Sequence, residues 1–297
     1  MAHIIKSHIV PEGIAPIRLS DYAFLIFGDL SSRKGIKKAI KRGEIRVNGQ
    51  LAPTGTWVQP GQRIEMLDLE LKPPKPYRLV LEIVFEDDDL AVINKPAGIV
   101  VSGNQYRTIE NSLSGNLKNS PKKDALKWPR PVHRLDSPTS GLLLVAKTAR
   151  ARIALGHQLE QKTIDKRYRA IVSGAVPPKG KVEKSIEGKL AITHFECLQK
   201  VPSLKNEWLS LLDLYPETGR THQLRKHMAG MGHPIMGDQL YGIEGNVLKG
   251  KGLFLAAIGL SFLHPTSNRP IKLDIDMPGK FQSLLDREER RWKKYNA

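Results

Sequence analysis

The chain has 297 residues, enough for two or three domains with a substantial core, and its 47 Lys and Arg against 30 Asp and Glu leave a formal net charge of +17. An excess of this size does not choose a fold, but it predicts attraction to a polyanion that weakens with salt, nucleic acid first and an acidic membrane surface second. Cys197 is the single cysteine, which excludes an intramolecular disulfide framework and argues against a Cys-rich zinc site; the N-terminus lacks the apolar core of a signal peptide, and no stretch approaches the ~18 to 20 apolar residues of a membrane span.

A soluble, cytoplasmic, nucleic-acid-handling protein is therefore the starting expectation, and the chain divides into regions. The first covers residues 17–71. Leu19 to Phe27 is helix-like, and Ser31-Ser32 can cap a second helix. In that helix Lys34, Lys37, Lys38 and Lys41 fall at i, i+3, i+4 and i+7 and share one face, while Ile36, Ala39 and Ile40 lie on another that can pack inward. Gly43 is placed to stop it. Ile45-Arg46-Val47 alternates as a strand into Asn48-Gly49, a strong short hairpin signal. Trp57 to Ile64, with Pro60-Gly61 at a turn, completes a small α+β unit. Like-charged lysines on one face repel one another, and a merely solubilising face more often mixes signs; a phosphate backbone is the partner such a face fits. Residues 72–76 (Lys72-Pro73-Pro74-Lys75-Pro76) read as a stiff, extended linker and mark the domain boundary.

Residues 77–278 are strand-rich with a few helices. Leu79 to Phe85 and Leu90 to Asn94 flank an acidic turn (Glu86-Asp87-Asp88-Asp89), which suggests a hairpin. Lys95-Pro96-Ala97-Gly98 ends it. Leu142 to Lys147 is a strand of buried character, Arg150 to Gln161 is helix-like, and Tyr168 to Val172 alternates as a strand. Leu209 to Leu214 looks like another strand and Thr221 to Met231 like a helix. Residues 279–297 form a charged helical tail, read as a solvated C-terminal helix whose basic residues are open to RNA contact.

Residues 133–141 read His-Arg-Leu-Asp-Ser-Pro-Thr-Ser-Gly. They place one carboxylate, Asp136, in a Pro/Ser/Gly turn between a basic pair and the strand that begins at Leu142. The strand anchors the turn and the turn aims the carboxylate outward, as a functional group on a loop held by a rigid scaffold requires. A solvated Asp in a β-turn would carry the same local chemistry; the nine-residue pattern and its company decide against that. Asn94-Lys95-Pro96-Ala97-Gly98 precedes it. Lys166-Arg167-Tyr168-Arg169-Ala170 follows, then Gly219-Arg220-Thr221-His222-Gln223-Leu224-Arg225, Gly232-His233-Pro234-Ile235, Gly237-Asp238, Tyr241-Gly242 and Phe262 to Pro265.

In chain order the segments resemble the NKPAG, HRLDxxTSG, KxYxA and GRxHQxR…GHPIxGD…YG motifs of the RluA-type RNA pseudouridine synthases, over about Leu79 to Pro278. After Gly98 the chain departs from that pattern: Ile99 to Asn104 replace a His and a Gly/Pro-rich stretch. The first region (SSRKGIKKAIKRGEIRVNG, then WVQPGQRIEM) resembles the S4-like RNA-binding domain over roughly 50 residues. The resemblance implies an α+β chain: a small S4-like domain, then a mixed, mainly antiparallel sheet flanked by helices with a cleft across it.

It also implies the chemistry. Asp136 is the expected catalytic residue, Arg220 its basic partner, and Tyr168 the ring that stacks on the target base and assists the proton step. His133 and Arg134 are expected against the substrate, with Arg134 filling the space of an extruded base, holding a phosphate or forming a structural salt bridge. Lys34, Lys37, Lys38 and Lys41 are expected on RNA phosphates. Isomerising uridine gains no atom and no electron, so no cofactor and no metal is expected, and the chain carries neither a GxxxxGK[ST] loop nor a dinucleotide fingerprint. A carboxylate with the ordinary aspartate pKa of about 3.9 is ionised at neutral pH, as the reaction needs. Two other enzyme classes fail. His222, His227 and His233 are spaced by five and six with no acidic partner between them, unlike a zinc hydrolase, and no GxSxG elbow exists for a serine hydrolase. A non-catalytic RNA-binding or ribosome-assembly factor is the alternative from another class. The expected substrate is uridine in structured RNA, large-subunit ribosomal RNA ahead of transfer RNA; neither DNA nor a membrane is an expected partner.

Overall fold

The computed structural model describes residues 3–27, 33–68, 75–243 and 250–296. The chain falls into two compact units, Met1–Pro74 and Lys75–Ala297. The Ser31-Ser32 cap and most of the proline-rich linker lie outside the described residues.

The first unit contains β1 (His3–Ile9), β2 (Ile17–Arg18), α1 (Leu19–Ile26), α2 (Arg33–Lys41), β3 (Ile45–Val47), β4 (Gln50–Leu51), β5 (Trp57–Val58) and β6 (Arg63–Asp68). A four-stranded antiparallel sheet runs β1-β6-β3-β4, and β2 pairs with β5. Asn48 and Gly49 both take positive φ, 49° and 76°, which is the type I′ geometry that matches the twist of the β3–β4 hairpin. In α2, Ile36, Ala39 and Ile40 enter a core shared with Leu19, Tyr22, Phe27, Ile45 and Ile64, and Lys34, Lys37, Lys38 and Lys41 are exposed together. Strand β1 extends this unit to the N-terminal side of Ile17, where the sequence had suggested no element; it pairs along β6 from Asp68 to Arg63.

The second unit is built on a ten-stranded, mainly antiparallel sheet. Its elements are β7 (Glu82–Glu86), β8 (Leu90–Lys95), α3 (Ile109–Ser112), β9 (Ala125–Pro131), β10 (Ser140–Thr148), α4 (Ala149–Glu160), β11 (Asp165–Ser173), β12 (Lys179–Glu183), β13 (Ile192–Ser203), β14 (Glu207–Pro216), α5 (Gln223–Gly230), β15 (Leu255–Leu263), β16 (Pro270–Asp274) and α6 (Gly279–Asn296). The order is β12-β13-β14-β11-β15-β10-β8-β7, with β16 beside β15 and β9 beside β10. One pairing is parallel, β10 with β15 at Ser140–Ala256 and Gly141–Ala257. Residues 90–93 of β8 and 142–146 of β10 are apolar without a break because both faces are covered there. Leu90, Val92, Leu142 and Leu144 pack with Ala151 and Leu155 of α4; Ala91, Ile93, Leu143 and Val145 pack with Ile109, Leu113 and Leu135.

The acidic turn between β7 and β8 is tied down. Asp87 Oδ1 accepts the backbone N–H groups of Asp89 and Leu90 at 2.8 and 2.9 Å. The buried Lys147 ammonium donates to Glu86 at 2.6 Å and to the Asp87 carbonyl at 2.7 Å. His264 accepts the N–H groups of Thr266 and Ser267 on Nδ1, so Nε2 carries the hydrogen and donates to Asp87 at 2.8 Å. Asp87, Asp89 and His264 are the grouping among the described residues close enough for a shared cation, but that ring hydrogen and Lys122 at 2.5 Å from Asp89 already fill the knot.

The C-terminal segment differs from the expected solvated helix. In α6, Phe281, Leu284, Leu285 and Glu288 are buried, and the three apolar side chains join the core of β11, β14 and β15. Glu288 accepts from the Ser203 hydroxyl at 2.8 Å and pairs with Arg287 and Arg291. A stripe at i, i+3, i+4 and i+7 inside a charged sequence is what docks it.

Candidate active site

Asp136 sits in the turn between β9 and β10, and the turn is held from two sides. Thr139 N–H donates to the Asp136 carbonyl at 3.0 Å and closes it. From the loop after β8, Gly98 N–H and Lys95 Nζ both donate to the Ser137 carbonyl, at 2.7 and 3.2 Å. Gly141 (φ +112°) lies against β15 so closely that a Cβ there would sit 2.0 Å from the Ala257 carbonyl oxygen. Only glycine lets the strand that carries the turn pair with β15 at this point. The NKPAG and HRLDSPTSG segments are thus one structure, the first clamping the second.

The carboxylate faces a cleft of about 1050 Å³ lined by the Asp136 turn, β11, the end of β14 and the start of α5. Its side chain is 19% exposed, so it is reachable from the cleft yet shielded from bulk water. Arg225 Nη1 lies 3.5 Å from Asp136 Oδ2. Behind it, Asp238 takes the other guanidinium nitrogens in a bidentate pair, Nε and Nη2 each at 2.7 Å, and Arg225 and Asp238 are almost wholly buried, 4% and 1% exposed. Burial works against both charges. For Arg225 the carboxylates of Asp238 and Asp136 outweigh it and hold the guanidinium above its ordinary range. For Asp238 the guanidinium and the N–H groups of Leu240 and Tyr241 outweigh it and hold the carboxyl below its ordinary range. The Tyr241 ring lies under the Arg225 guanidinium, 5.1 Å from centroid to carbon, and its hydroxyl bonds His222 Nδ1 at 3.0 Å. His222 Nε2 is 3.9 Å from Asp136 Oδ1. His222 also takes the left-handed backbone (φ 56°, ψ 26°) at the entry to α5, a conformation of appreciable cost for a residue with a Cβ.

Tyr168 lines the same cleft, and burial together with the Asp136 charge pushes its hydroxyl well above the ordinary tyrosine range. It therefore stays protonated beside the carboxylate. Lys95 is fully buried, and burial pulls it down to about 8 although Asp136 draws it back up. Thr139 is 2% exposed, and its hydroxyl, on the cleft wall, has no partner among the described residues.

Several sequence expectations meet here and two change. Asp136 and Tyr168 are together in the cleft, and Arg134 is exposed at it. Arg220 lines the cleft but is not the partner of Asp136: its Nε donates to the Leu190 carbonyl at 3.2 Å. Arg225, five residues on in the same segment, takes that place, because the turn through His222 brings α5 rather than its preceding loop up to the carboxylate. His133 is a brace rather than an open ligand. Its Nε2 accepts the Leu144 N–H at 3.0 Å, and burial, with the Lys166 charge adding, pulls its pKa down to about 4 against a backbone hydrogen bond with Arg134. His222, His227 and His233 are engaged with different partners: Tyr241, Thr193 with the Lys184 carbonyl, and the Ser173 carbonyl. The sequence reading missed Arg225, Asp238, His222, Tyr241, Lys95 and Thr139 as site residues, although each lies inside a motif it had singled out.

A family model described as RNA pseudouridylate synthase matches residues 89–230. The ribosomal large subunit pseudouridine synthase D of Xylella fastidiosa is 33% identical over 96% of this chain and 93% of its own. An RNA pseudouridine synthase of Aquifex aeolicus, itself uncharacterized, is 31% identical over 90% and 92%. Among solved structures, human RNA pseudouridylate synthase domain containing 1 superposes with a TM-score of 0.56 at 25% identity, covering 66% of this chain and 83% of that one. No helix among the described residues is long and apolar enough to cross a membrane. With relatives this similar over nearly their whole length, the chain belongs to the RluA-type family of RNA pseudouridine synthases, isomerases that act on RNA.

Proposed function

We propose that this enzyme isomerises uridine in large-subunit ribosomal RNA, in the cytoplasm, with Asp136 as the catalytic carboxylate. The observation that carries the assignment is the carboxylate itself, aimed into the cleft and gripped from behind by a buried arginine that a second carboxylate immobilises. When the bond from ribose C1′ to N1 breaks, positive charge develops on the sugar. A fixed anion beside it stabilises that state more than the ground state, and it needs no reorganisation at the moment of reaction. The carboxylate also stands within reach of the reacting atoms as nucleophile or proton acceptor. The base turns, C5 bonds to C1′, the C5 proton leaves and N1 regains one, so atoms and electrons balance without a cofactor. Tyr168, kept protonated by its surroundings, serves as a contact and hydrogen-bond donor to the base and not as the general base. Arg225 is a positioning residue, acting through Asp136.

The uridine must leave its stack to reach this depth, at a cost of a few kcal/mol. Arg134, exposed beside the carboxylate, is the side chain we assign to the vacated space. The first unit serves as the S4-like RNA-binding module, with Lys34, Lys37, Lys38 and Lys41 on the phosphate backbone. The names of the bacterial relatives favour ribosomal over transfer RNA. Mapping pseudouridines in both RNA classes, in cells lacking the gene and in cells complemented with wild type or Asp136→Asn, tests this. The expected result is loss of one or more large-subunit sites, restored by wild type alone. Restoration by Asp136→Asn would remove Asp136 from the mechanism, and loss confined to transfer RNA would remove the ribosomal assignment.

A further inference from the structure

Strand β11 carries three cations at consecutive or alternate positions, and the fold treats them differently. Arg167 and Arg169 point to one face, where both reach Asp213: Arg169 Nε at 2.7 Å and Nη2 at 3.0 Å, Arg167 Nη1 at 3.4 Å. Lys166 points to the other face with Tyr168 and lines the cleft. It is half-buried, close enough to His133 to push that ring's pKa down, and it makes no hydrogen bond or salt bridge among the described residues.

The other lysines in similar surroundings make the contrast. Burial lowers the pKa of Lys95, Lys166 and Lys280. Lys95 compensates by donating to the carbonyls of Pro96 and Ser137 at 2.8 and 3.2 Å, and Lys280 by donating to those of Lys251 and Leu253 at 3.2 and 2.7 Å. Lys166 has only the through-space attraction of Asp165, an exposed neighbour. A partly desolvated ammonium without a partner is unfavourable, and an anion entering the cleft relieves it.

We propose that Lys166 holds a phosphate of the target nucleotide, or of its immediate neighbour, while the base lies against Tyr168. Side chains two apart on a strand are spaced by about 6.6 Å, a span that suits a nucleotide whose base meets one and whose phosphate meets the other. Arg134 and Lys162 at the cleft are exposed and already hydrated, so they gain less from the same contact. Lys166 is in this account a specificity-determining residue: it fixes which nucleotide of an extruded segment stops with its ribose at Asp136. The proposal rests on the cleft being the uridine site.

The test uses the full-length protein carrying Asp136→Asn, so that binding is measured without turnover. The probes are a single-stranded oligoribonucleotide with one uridine and the same RNA with neutral methylphosphonates flanking that uridine. With Lys166 present, the neutral linkages should weaken binding about tenfold, the effect of one charge-assisted contact, and reduce the slope of log affinity against log salt by about 0.7. Lys166→Met should weaken binding of the unmodified RNA by the same factor and abolish the discrimination; Lys166→Arg should retain most of it. Because the charge lacks a partner in the free protein, Lys166→Met should be at least as resistant to urea as its parent. Discrimination that persists in Lys166→Met, unmodified RNA bound equally by both proteins, or a Met variant less stable than its parent would each overturn the proposal. Turnover of ribosomal RNA by the wild-type enzyme is a separate measurement: its failure would refute the ribosomal reading and leave the binding result standing.

Discussion

Asp136 depends on a charge it does not own. Arg225 reaches it at 3.5 Å but is fixed by two 2.7 Å bonds to Asp238, so the second carboxylate sets where the first one's partner points. Removing one member of a buried pair leaves an uncompensated charge, and Asp238→Ala should destabilise the fold by about 3–5 kcal/mol. The double substitution Arg225→Met with Asp238→Leu should recover much of that stability in urea unfolding while turnover stays low. Recovery of both would mean the pair is not needed for chemistry. His133 adds a pH dependence with a definite sign. Its pKa is pulled from 6.5 to about 4 in the folded protein, so the folded state binds fewer protons than the unfolded one in that window. The stability of its neutral form is fully present above pH 6.5 and falls away toward pH 4, by up to about 3 kcal/mol. His133→Gln, which keeps a polar side chain that does not titrate, should flatten stability against pH between 4 and 6.5; an unchanged slope would place that proton uptake elsewhere.

At the scale of elements, the active-site turn is only as good as the strand behind it. Gly141→Ala would place a methyl group 2.0 Å from the Ala257 carbonyl oxygen in a backbone of φ +112°, and strain plus lost pairing should cost more than about 3 kcal/mol. Gly156, inside α4, has nothing within 4 Å of a Cβ; Gly156→Ala should stabilise by about 0.5–1 kcal/mol. Chemical denaturation of the two variants checks the contrast, and equal effects would contradict it. The same elements show what the sequence made legible. Asp136 stood out because residues 133–141 match the HRLDxxTSG motif with further matching segments in order; its turn chemistry alone fits a solvated aspartate equally well. Arg225 could not be told from Arg220, because the choice depends on a left-handed turn at His222, a residue type that does not announce one. The docking stripe of α6 was present in the letters at 281, 284, 285 and 288, but the surrounding charges concealed it. Strand β1 had no such period to read: it exists because β6 offers an edge, a long-range fact. The clamp from Lys95 and Gly98 to Ser137 joins segments some forty residues apart and is equally invisible to local pattern.

At the scale of the whole molecule, the +17 charge is divided between tasks. The α2 face of the first unit holds four exposed lysines with an apolar row beneath them, the surface we propose for backbone phosphate, whereas cations of the second unit, such as Arg169 and Lys147, are neutralised by internal carboxylates. Replacing Lys34, Lys37, Lys38 and Lys41 together by Gln should weaken RNA binding and lower the salt slope by up to about 0.7 per lost contact on single strands and about 0.9 on duplex, with turnover of bound RNA retained; an unchanged slope would make the face a solvated surface. The central claim is that one held carboxylate performs the isomerisation. Single-turnover pseudouridine formation on pre-annealed large-subunit ribosomal RNA, in chelator and without any nucleotide cofactor, tests it most directly. The account predicts conversion by the wild-type enzyme and none by Asp136→Asn, with the variant folded and its RNA affinity little changed. Substantial conversion by Asp136→Asn, or wild-type activity that returns only when zinc or a redox cofactor is added, would contradict it.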